Sequence, residues 1–166
     1  MTGAVRLEPV DEKNLEPLLS VAAAEAEPAE VMPPVEAPAG WSHARREAFR
    51  EFHRASFGGL DGPTRTAMYA ILAGGEVVGM IRMTRRDAPD TVEVGMWLGQ
   101  SARGQGIGRA ALCELMNLAP DVGVRTVVAD TTTDNHGALY VLERCGAKLR
   151  EDGDRVYAEI SLDPAR

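Results

Sequence analysis

The sequence contains no apolar run long enough to cross a membrane, and its amino terminus lacks a basic segment followed by an apolar one. A membrane-spanning helix needs about 20 consecutive apolar residues, and a secretory signal needs both of those segments. We therefore predict no membrane contact and a cytoplasmic location. Internal repeats and long low-complexity tails are also absent from the sequence.

Cysteine is scarce, since the 166 residues include only Cys113 and Cys145. Both fall in helical patterns, where a buried small hydrophobic side chain is more common than a disulfide, a metal ligand or a nucleophile. His43 and His53 give no metal-ligand spacing with either cysteine. We therefore predict neither a disulfide nor a metal site.

Basic residues are outnumbered, with 18 lysines and arginines against 25 aspartates and glutamates and a net charge of −7. This balance argues against general nucleic-acid binding, which needs a basic face, and is compatible with a cationic ligand. The length suits one domain with its own core, so we assign residues 1–166 to a single domain.

The distinctive part of the sequence is a strand pattern, a glycine-rich turn and a helix pattern in direct succession. Apolar residues first alternate with Glu93, Gly95 and Trp97 at the two-residue period of a strand. Helical spacing follows the turn and ends before Pro120. The apolar strand positions are Val92, Val94, Met96 and Leu98, and the helical ones are Ala110, Ala111, Leu112, Leu115 and Leu118.

The turn between these elements has the features of a phosphate site. The first N–H groups of a helix lack intrahelical acceptors, and the helix dipole favours negative charge there. Glycines allow a phosphate to approach the backbone, and flanking arginines add charge-assisted hydrogen bonds. The predicted site consists of Arg103, Gly104, Gln105, Gly106, Ile107, Gly108 and Arg109. The spacing matches neither G-x-G-x-x-G nor a P-loop, and the alternative is a turn that only joins strand to helix.

Residues 103–108 resemble the acyl-CoA pyrophosphate loop of the GNAT superfamily of N-acetyltransferases. Arg103, Gly106 and Gly108 occupy the positions of its Gln/Arg-x-x-Gly-x-Gly/Ala motif. A second segment is similar to the downstream signature of the family through Asn135, Ala138, Glu143 and Gly146. The resemblance covers residues 64–162 well and the first 60 loosely. It points to the branch with ribosomal-protein N-terminal and small-amine acetyltransferases.

The expected fold class is α+β, with a mixed, mostly antiparallel central sheet flanked by about four helices. Residue patterns predict strands over 4–10, 66–72, 76–84, 91–98, 124–130, 147–151 and 155–162, and helices over 12–26, 41–55, 110–118 and 136–145. The resemblance adds that the two central strands splay apart and that acetyl-CoA, the co-substrate, enters the gap. Its pantetheine would pair with the backbone of Met96, Trp97 and Leu98, and Asn135 would bind pantetheine or a water, or cap its helix.

The activity that the resemblance implies is acetyl transfer to a primary amine by direct attack in a ternary complex. Glu93 is the candidate base, because a partly desolvated carboxylate on the central strand accepts a proton more readily. The alternatives are acceptor binding and a plain surface charge. The acceptor expected is a small cationic amine, an aminoglycoside-type antibiotic or a peptide N-terminus. Homodimers are common in the superfamily, so the resemblance is compatible with a homodimer of this chain.

The sequence departs from the family at the position of the usual general-acid tyrosine, seven residues after the asparagine, where Leu142 stands. Tyr140 points about 200° away on a helix, so it does not replace that acid. We expect Tyr140 to pack in the core, and a catalytic role is the alternative. This departure leaves open a non-catalytic acyl-CoA sensor, and a longer acyl donor is also open. Residues 27–40, with four prolines, form either a plain connection or an acceptor-side loop. The acidic residues Glu25, Glu27, Glu30 and Glu36 would help that loop attract a cation.

Overall fold

A computed structural model of the protein describes residues 4–162 and places seven strands in one sheet, in the order β1-β2-β3-β4-β5-β7-β6. Neighbouring strands pair antiparallel except β4 and β5, which pair parallel. This arrangement confirms the predicted α+β class and the mostly antiparallel sheet. The strands are β1 Val5–Pro9, β2 Thr66–Ala73, β3 Glu76–Arg85, β4 Thr91–Leu98, β5 Thr126–Thr132, β6 Lys148–Asp152 and β7 Arg155–Ser161. The helices are α1 Glu12–Glu25, α2 Pro28–Val31, α3 His43–Arg54, α4 Ile107–Leu118 and α5 His136–Arg144.

Local capping signals place most of these boundaries. Asp11 forms a capping box with Asn14 at the start of α1, and Ser42 accepts a hydrogen bond from the N–H of Arg45 at the start of α3. The strand predicted at 124–130 begins two residues later than expected. The reason is that the N–H of Val124 bonds to the carbonyl of Ala119 and so completes the turn after α4.

The two faces of the sheet carry separate cores. Helices α4 and α5 cover one face, where Val92 and Val127 are buried, and α1 and α3 cover the other, where Met80 and Trp97 are buried. The second core draws strand residues from β2, β3 and β4 alone, so the same face of β5, β7 and β6 stays uncovered. The burial of every second residue along β7, with Tyr157 37% exposed, is consistent with that one-sided cover.

His53 on α3 is buried in the second core with no exposed surface. Its Nδ1 donates to the carbonyl of Phe49 at 2.8 Å, and its Nε2 has no partner within the described part of the chain. Burial lowers the pKa of His53 from about 6.5 to about 4, against the opposing effect of the Phe49 carbonyl and with a further lowering by Arg82. The imidazole is therefore neutral near pH 7.

This buried imidazole predicts a loss of stability in acid. Above pH 6.5 both folded and unfolded states hold it neutral, and below that only the unfolded state takes up a proton, down to about pH 4. The free energy of unfolding should therefore fall by about 3 kcal/mol through this group between pH 7 and pH 4. Urea titrations across that range give the free energy of unfolding against pH for wild type and for His53→Phe. The difference between the two curves measures the contribution of His53. The exposed His43 supplies the control, since His43→Phe should keep the wild-type dependence.

Candidate functional site

The central strands β4 and β5 separate after three paired residues. Thr91, Val92 and Glu93 pair with β5, and the remainder of β4 has no β5 partner in the described chain. In an antiparallel pair, every second residue of β4 directs its backbone N–H and carbonyl to β3. The N–H of Arg86 donates to the carbonyl of Thr91, so Thr91 and every second residue after it bond to β3. The backbone groups of Val94, Met96 and Leu98 therefore face the gap.

This alternation changes one detail of the predicted site. Among the three residues expected to offer backbone groups to a ligand, Met96 and Leu98 face the gap, whereas Trp97 directs its N–H and carbonyl to β3. The ring of Trp97 lies in the core under α1 and α3, 6% exposed, and its Nε1 has no partner among the described residues. The Leu98 carbonyl accepts from Nε of Arg103 at 3.1 Å.

Helix α4 begins at the edge of this gap with a glycine at its N-cap. Gly104 and Gly106 have φ values of +75° and +80°, and no side chain within residues 4–162 caps the helix. The N–H groups of Ile107, Gly108 and Arg109 therefore lack intrahelical acceptors. Apart from Gly106 and its two chain neighbours, no heavy atom of the described residues lies within 4 Å of a Cβ added at Gly106, so the space beside it is open to an anion.

The third glycine of the loop has a packing role. A Cβ added at Gly108 would lie 3.4 Å from Met96 Cε and 3.6 Å from Val141 Cγ2. These are ordinary van der Waals distances, so Gly108 lies where the first turn of α4 packs against both β4 and α5. The same turn thus stays close to the gap between the strands.

Two acidic residues from the end of α1 and from α2 hold the loop before α4. Glu25 accepts from the N–H of Ser101 at 2.6 Å, and Glu30 lies 3.0 Å from Nη2 of Arg103. Hydrogen bonds from the hydroxyl and the N–H of Ser101 hold the pKa of Glu25 below its usual value. Gln105 donates to the carbonyl of Ser101 at 2.7 Å. These carboxylates thus anchor the glycine loop, a role that the sequence did not indicate.

Glu93 is the last residue of β4 that pairs with β5, so it stands where the gap opens. Its side chain is 40% exposed and lies 3.3 Å from Nη1 of Arg86. It borders a cleft of about 440 Å³ on the uncovered face. The other walls include Val128, Asp130, Lys148, Arg150, Tyr157 and Glu159.

Arg82 is a further charged group beside this site, and the sequence analysis missed it. It pairs in register with Gly95, and its guanidinium group lies so close that a Cβ added at Gly95 would stand 2.7 Å from Cζ. Glu93, Gly95 and Trp97 share this face of β4 because strand side chains alternate. The available signal was an arginine in the middle of an otherwise apolar strand.

The second signature forms the start of α5. Asn135 is the N-cap, and its Oδ1 accepts from the N–H of Ala138 at 3.2 Å. Leu142 is buried at 5% exposure. The expectation that Tyr140 packs in the core is wrong, since its side chain is 55% exposed and Arg144 lies 5.1 Å above its ring. The core-facing side of α5 is the one that carries Leu142, about 200° away.

The two cysteines are free thiols on α4 and at the end of α5, with their Sγ atoms 3.8 Å apart. Burial, together with the neighbouring Cys113, raises the pKa of Cys145 to about 11. Within residues 4–162, no group of three or more His, Cys, Asp or Glu side chains is arranged to hold a metal ion. Over the same residues, no helix has the length and apolarity that a membrane crossing requires.

Comparison with known proteins shows the family to which the chain belongs and the structures that share its fold. Residues 4–148 match the family described as Acetyltransferase (GNAT) domain. The fold is shared with the ribosomal L7/L12 α-N-protein acetyltransferase RimL at 20% identity, over 95% of this chain and 90% of that one, with a TM-score of 0.72.

Two further solved structures are similar. Mycobacterium smegmatis RimJ in complex with CoA-disulfide matches at 20% identity over 96% of this chain and 82% of that one, with a TM-score of 0.76. Campylobacter jejuni N-acetyltransferase PseH in complex with acetyl coenzyme A matches at 14% identity over 95% and 98%, with a TM-score of 0.68. No protein of curated function matches the chain by sequence.

Proposed function

The chain belongs to the GNAT acetyltransferase family, and we propose that it moves an acetyl group from acetyl-CoA to a primary amine by direct attack. The observation that carries the proposal is the position of Glu93. This carboxylate stands where β4 and β5 separate, on the face that borders an open cleft. One side of the gap can then hold the thioester while the other admits the amine.

The proposed acetyl-CoA site combines the gap with the glycine loop. The uncapped N–H groups at the start of α4 suit the pyrophosphate, as the open space beside Gly106 does. Arg103 and Arg109 add positive charge at the two ends of the loop. The pantetheine arm would pair with the backbone of Met96 and Leu98, whose groups face the gap. Asn135 offers the unused part of its side chain to the same arm or to a water.

The amine must lose two protons on the way to the amide. A protonated amine has no lone pair, so it loses the first proton before it attacks the thioester carbonyl, and the nitrogen releases the second to water as the tetrahedral adduct expels the thiolate. Glu93 accepts the first proton directly or through water, and Arg86 holds the carboxylate at the mouth of the cleft. Leu142 occupies the position of the usual tyrosine, so the thiolate leaves with a proton from water or none.

The acceptor proposed is a small amine or a peptide N-terminus that enters the cleft beside Glu93. The name of RimL describes an enzyme that acts on the α-amino group of a ribosomal protein, and the cleft here, at about 440 Å³, is large enough for the first residues of a peptide. The walls carry both signs of charge, with Asp130 and Glu159 opposite Lys148 and Arg150.

The test is thiol release from acetyl-CoA with a panel of polyamines, aminoglycosides, amino acids and peptides. Turnover on one class identifies the acceptor. Absence of turnover, with acetyl-CoA still raising the melting temperature by mass action, would contradict the enzyme and favour the acyl-CoA sensor. Absence of both would overturn the acetyl-CoA site.

The anchor of the glycine loop gives a second expectation. Glu25→Ala removes the acceptor of the Ser101 N–H, so the loop loses its fixed position and the KM for acetyl-CoA should rise about 5-fold, for about 1 kcal/mol of lost hydrogen bonding. Initial rates at varied acetyl-CoA measure it. Glu36→Ala, at an exposed residue of the neighbouring segment, is the control and should keep the wild-type KM. An unchanged KM in Glu25→Ala would contradict the anchoring role of Glu25.

A further inference from the structure

Arg82 holds its guanidinium group against the backbone of β4. A Cβ added at Gly95 would stand 2.7 Å from Cζ of Arg82 and 2.8 and 2.9 Å from the two terminal nitrogens. Only glycine leaves room for this placement. The guanidinium group therefore lies on the face of β4 that also carries Glu93.

This cation has no partner among the described residues of the protein. Arg82 is half-buried, and within residues 4–162 it forms neither an ion pair nor a hydrogen bond. Of the other arginines near the cleft, Arg86 pairs with Glu93 and Arg155 with Asp130, whereas Arg150 lies 4.8 Å above the ring of Tyr157. Removing a charge from water without a counter-ion costs free energy, although the chain has 25 acidic residues that could supply one.

The surroundings of Arg82 do not neutralise it. In register it lies between Met68 on β2 and Gly95 on β4, and its neighbours on the same face of β3 are Met80 and Thr84. His53, from α3, is the titratable group whose pKa responds to Arg82. Because that imidazole is neutral near pH 7, it carries no charge of either sign there.

We infer that Arg82 binds a carboxylate of the acceptor, so that the acceptor is a primary amine with a carboxylate a few bonds away. The inference rests on the proposed function and narrows its substrate class. Glu93 and Gly95 are two residues apart on a strand, which sets their separation at about 6–7 Å. The amine would lie near Glu93, and the carboxylate would form the two parallel hydrogen bonds that a guanidinium group favours.

This requirement separates the acceptor classes. A free amino acid presents an α-carboxylate beside its amine, and a peptide that begins with Asp or Glu presents a side-chain carboxylate at similar distance. Polyamines and aminoglycosides place further cations there, and Arg82 would repel them. The same repulsion disfavours a peptide with a basic first residue.

The experiment compares acceptors that differ in one group. Peptides beginning with Asp or Glu are paired with the Asn or Gln forms, and free amino acids with their amides, which tells the two sources of the carboxylate apart. We expect the carboxylate member of one pair to have a kcat/KM at least ~10-fold higher, as for hydrogen bonds to charged groups. Arg82→Gln should remove most of that preference and leave the amide member within about 3-fold, while Arg82→Lys should keep part of it. Arg6→Gln, at a surface arginine on the edge strand β1, should behave as wild type.

Three results would overturn the inference. The first is an equal kcat/KM for both members of every pair, and the second is a preference for the carboxylate member that survives Arg82→Gln. The third is an equal loss of kcat/KM for both members in that variant, which would assign Arg82 to stabilisation of the transition state instead. Calorimetry of the same pairs on the enzyme–CoA complex gives a readout that needs no turnover. There, weaker binding of carboxylates to Arg82→Gln supports the inference even if acetylation fails, and equal binding contradicts it.

Discussion

Glu93→Gln is expected to lower kcat by about 10²–10⁴-fold, the usual contribution of a positioned general base. The amide keeps the size and most contacts of the side chain but cannot accept the proton of the attacking amine. The KM for acetyl-CoA should stay near the wild-type value, because the glycine loop lies beyond the far end of β4 from Glu93. Steady-state rates with both substrates varied measure the two effects separately.

The pH profile of Glu93→Gln distinguishes a base from an acceptor-binding group. In the variant only the neutral fraction of the amine attacks, so its residual rate should rise about tenfold per pH unit below the pKa of the amine. A variant with a raised KM for the amine and an unchanged kcat would instead assign Glu93 to binding. Glu76→Gln, at an exposed glutamate at the start of β3, is the matched control and should leave kcat unchanged.

Gly106→Ala is expected to weaken acetyl-CoA binding by about 10–100-fold. Gly106 has a φ of +80° at the N-cap of α4, a conformation that costs an alanine about 1–2 kcal/mol. In addition, the new methyl group would enter the open space beside the glycine and hold a phosphate away from the N–H groups. Titration of the variant with acetyl-CoA by calorimetry measures the loss.

The control for Gly106→Ala lies beyond the other end of the same helix. Gly123 has a φ of +84° and open space around an added Cβ, so Gly123→Ala imposes similar strain away from the loop. Both variants should lose similar stability in urea, and only Gly106→Ala should lose affinity. Equal affinity in the two variants would contradict a phosphate site at this loop.

The arrangement of charges is compatible with the inferred carboxylate-bearing acceptor despite the net charge of −7. Several carboxylates are engaged in contacts within the protein, among them Glu25 and Glu30 at the glycine loop and Asp130 with Arg155. Arg82 remains unpaired among the described residues. The charge distribution around the cleft therefore differs from what the net charge suggests. The net charge gives only weak information on the choice of substrate.

Features that depend on contiguous residues were determined by the sequence. The turn from Arg103 to Arg109 combines a strand end, glycines and a helix start within a few residues, and its chemistry is a property of the local backbone. The caps of α1 by Asp11 and of α5 by Asn135 are local in the same sense, because each side chain accepts from a backbone N–H three residues further on. The family resemblance predicted that the central strands separate and that Glu93 stands on one of them near the gap. Both predictions concern the same short stretch of β4.

Features that depend on contacts across the sheet were decided by the tertiary structure. The register between β3 and β4 brings Arg82 onto Gly95, and the one-sided cover by α1 and α3 leaves the cleft beside Glu93 open. The ion pair of Arg103 with Glu30 joins residues 73 positions apart. No local pattern encodes these pairs, because the side-chain period of a strand fixes which face a residue occupies but not which residue lies opposite.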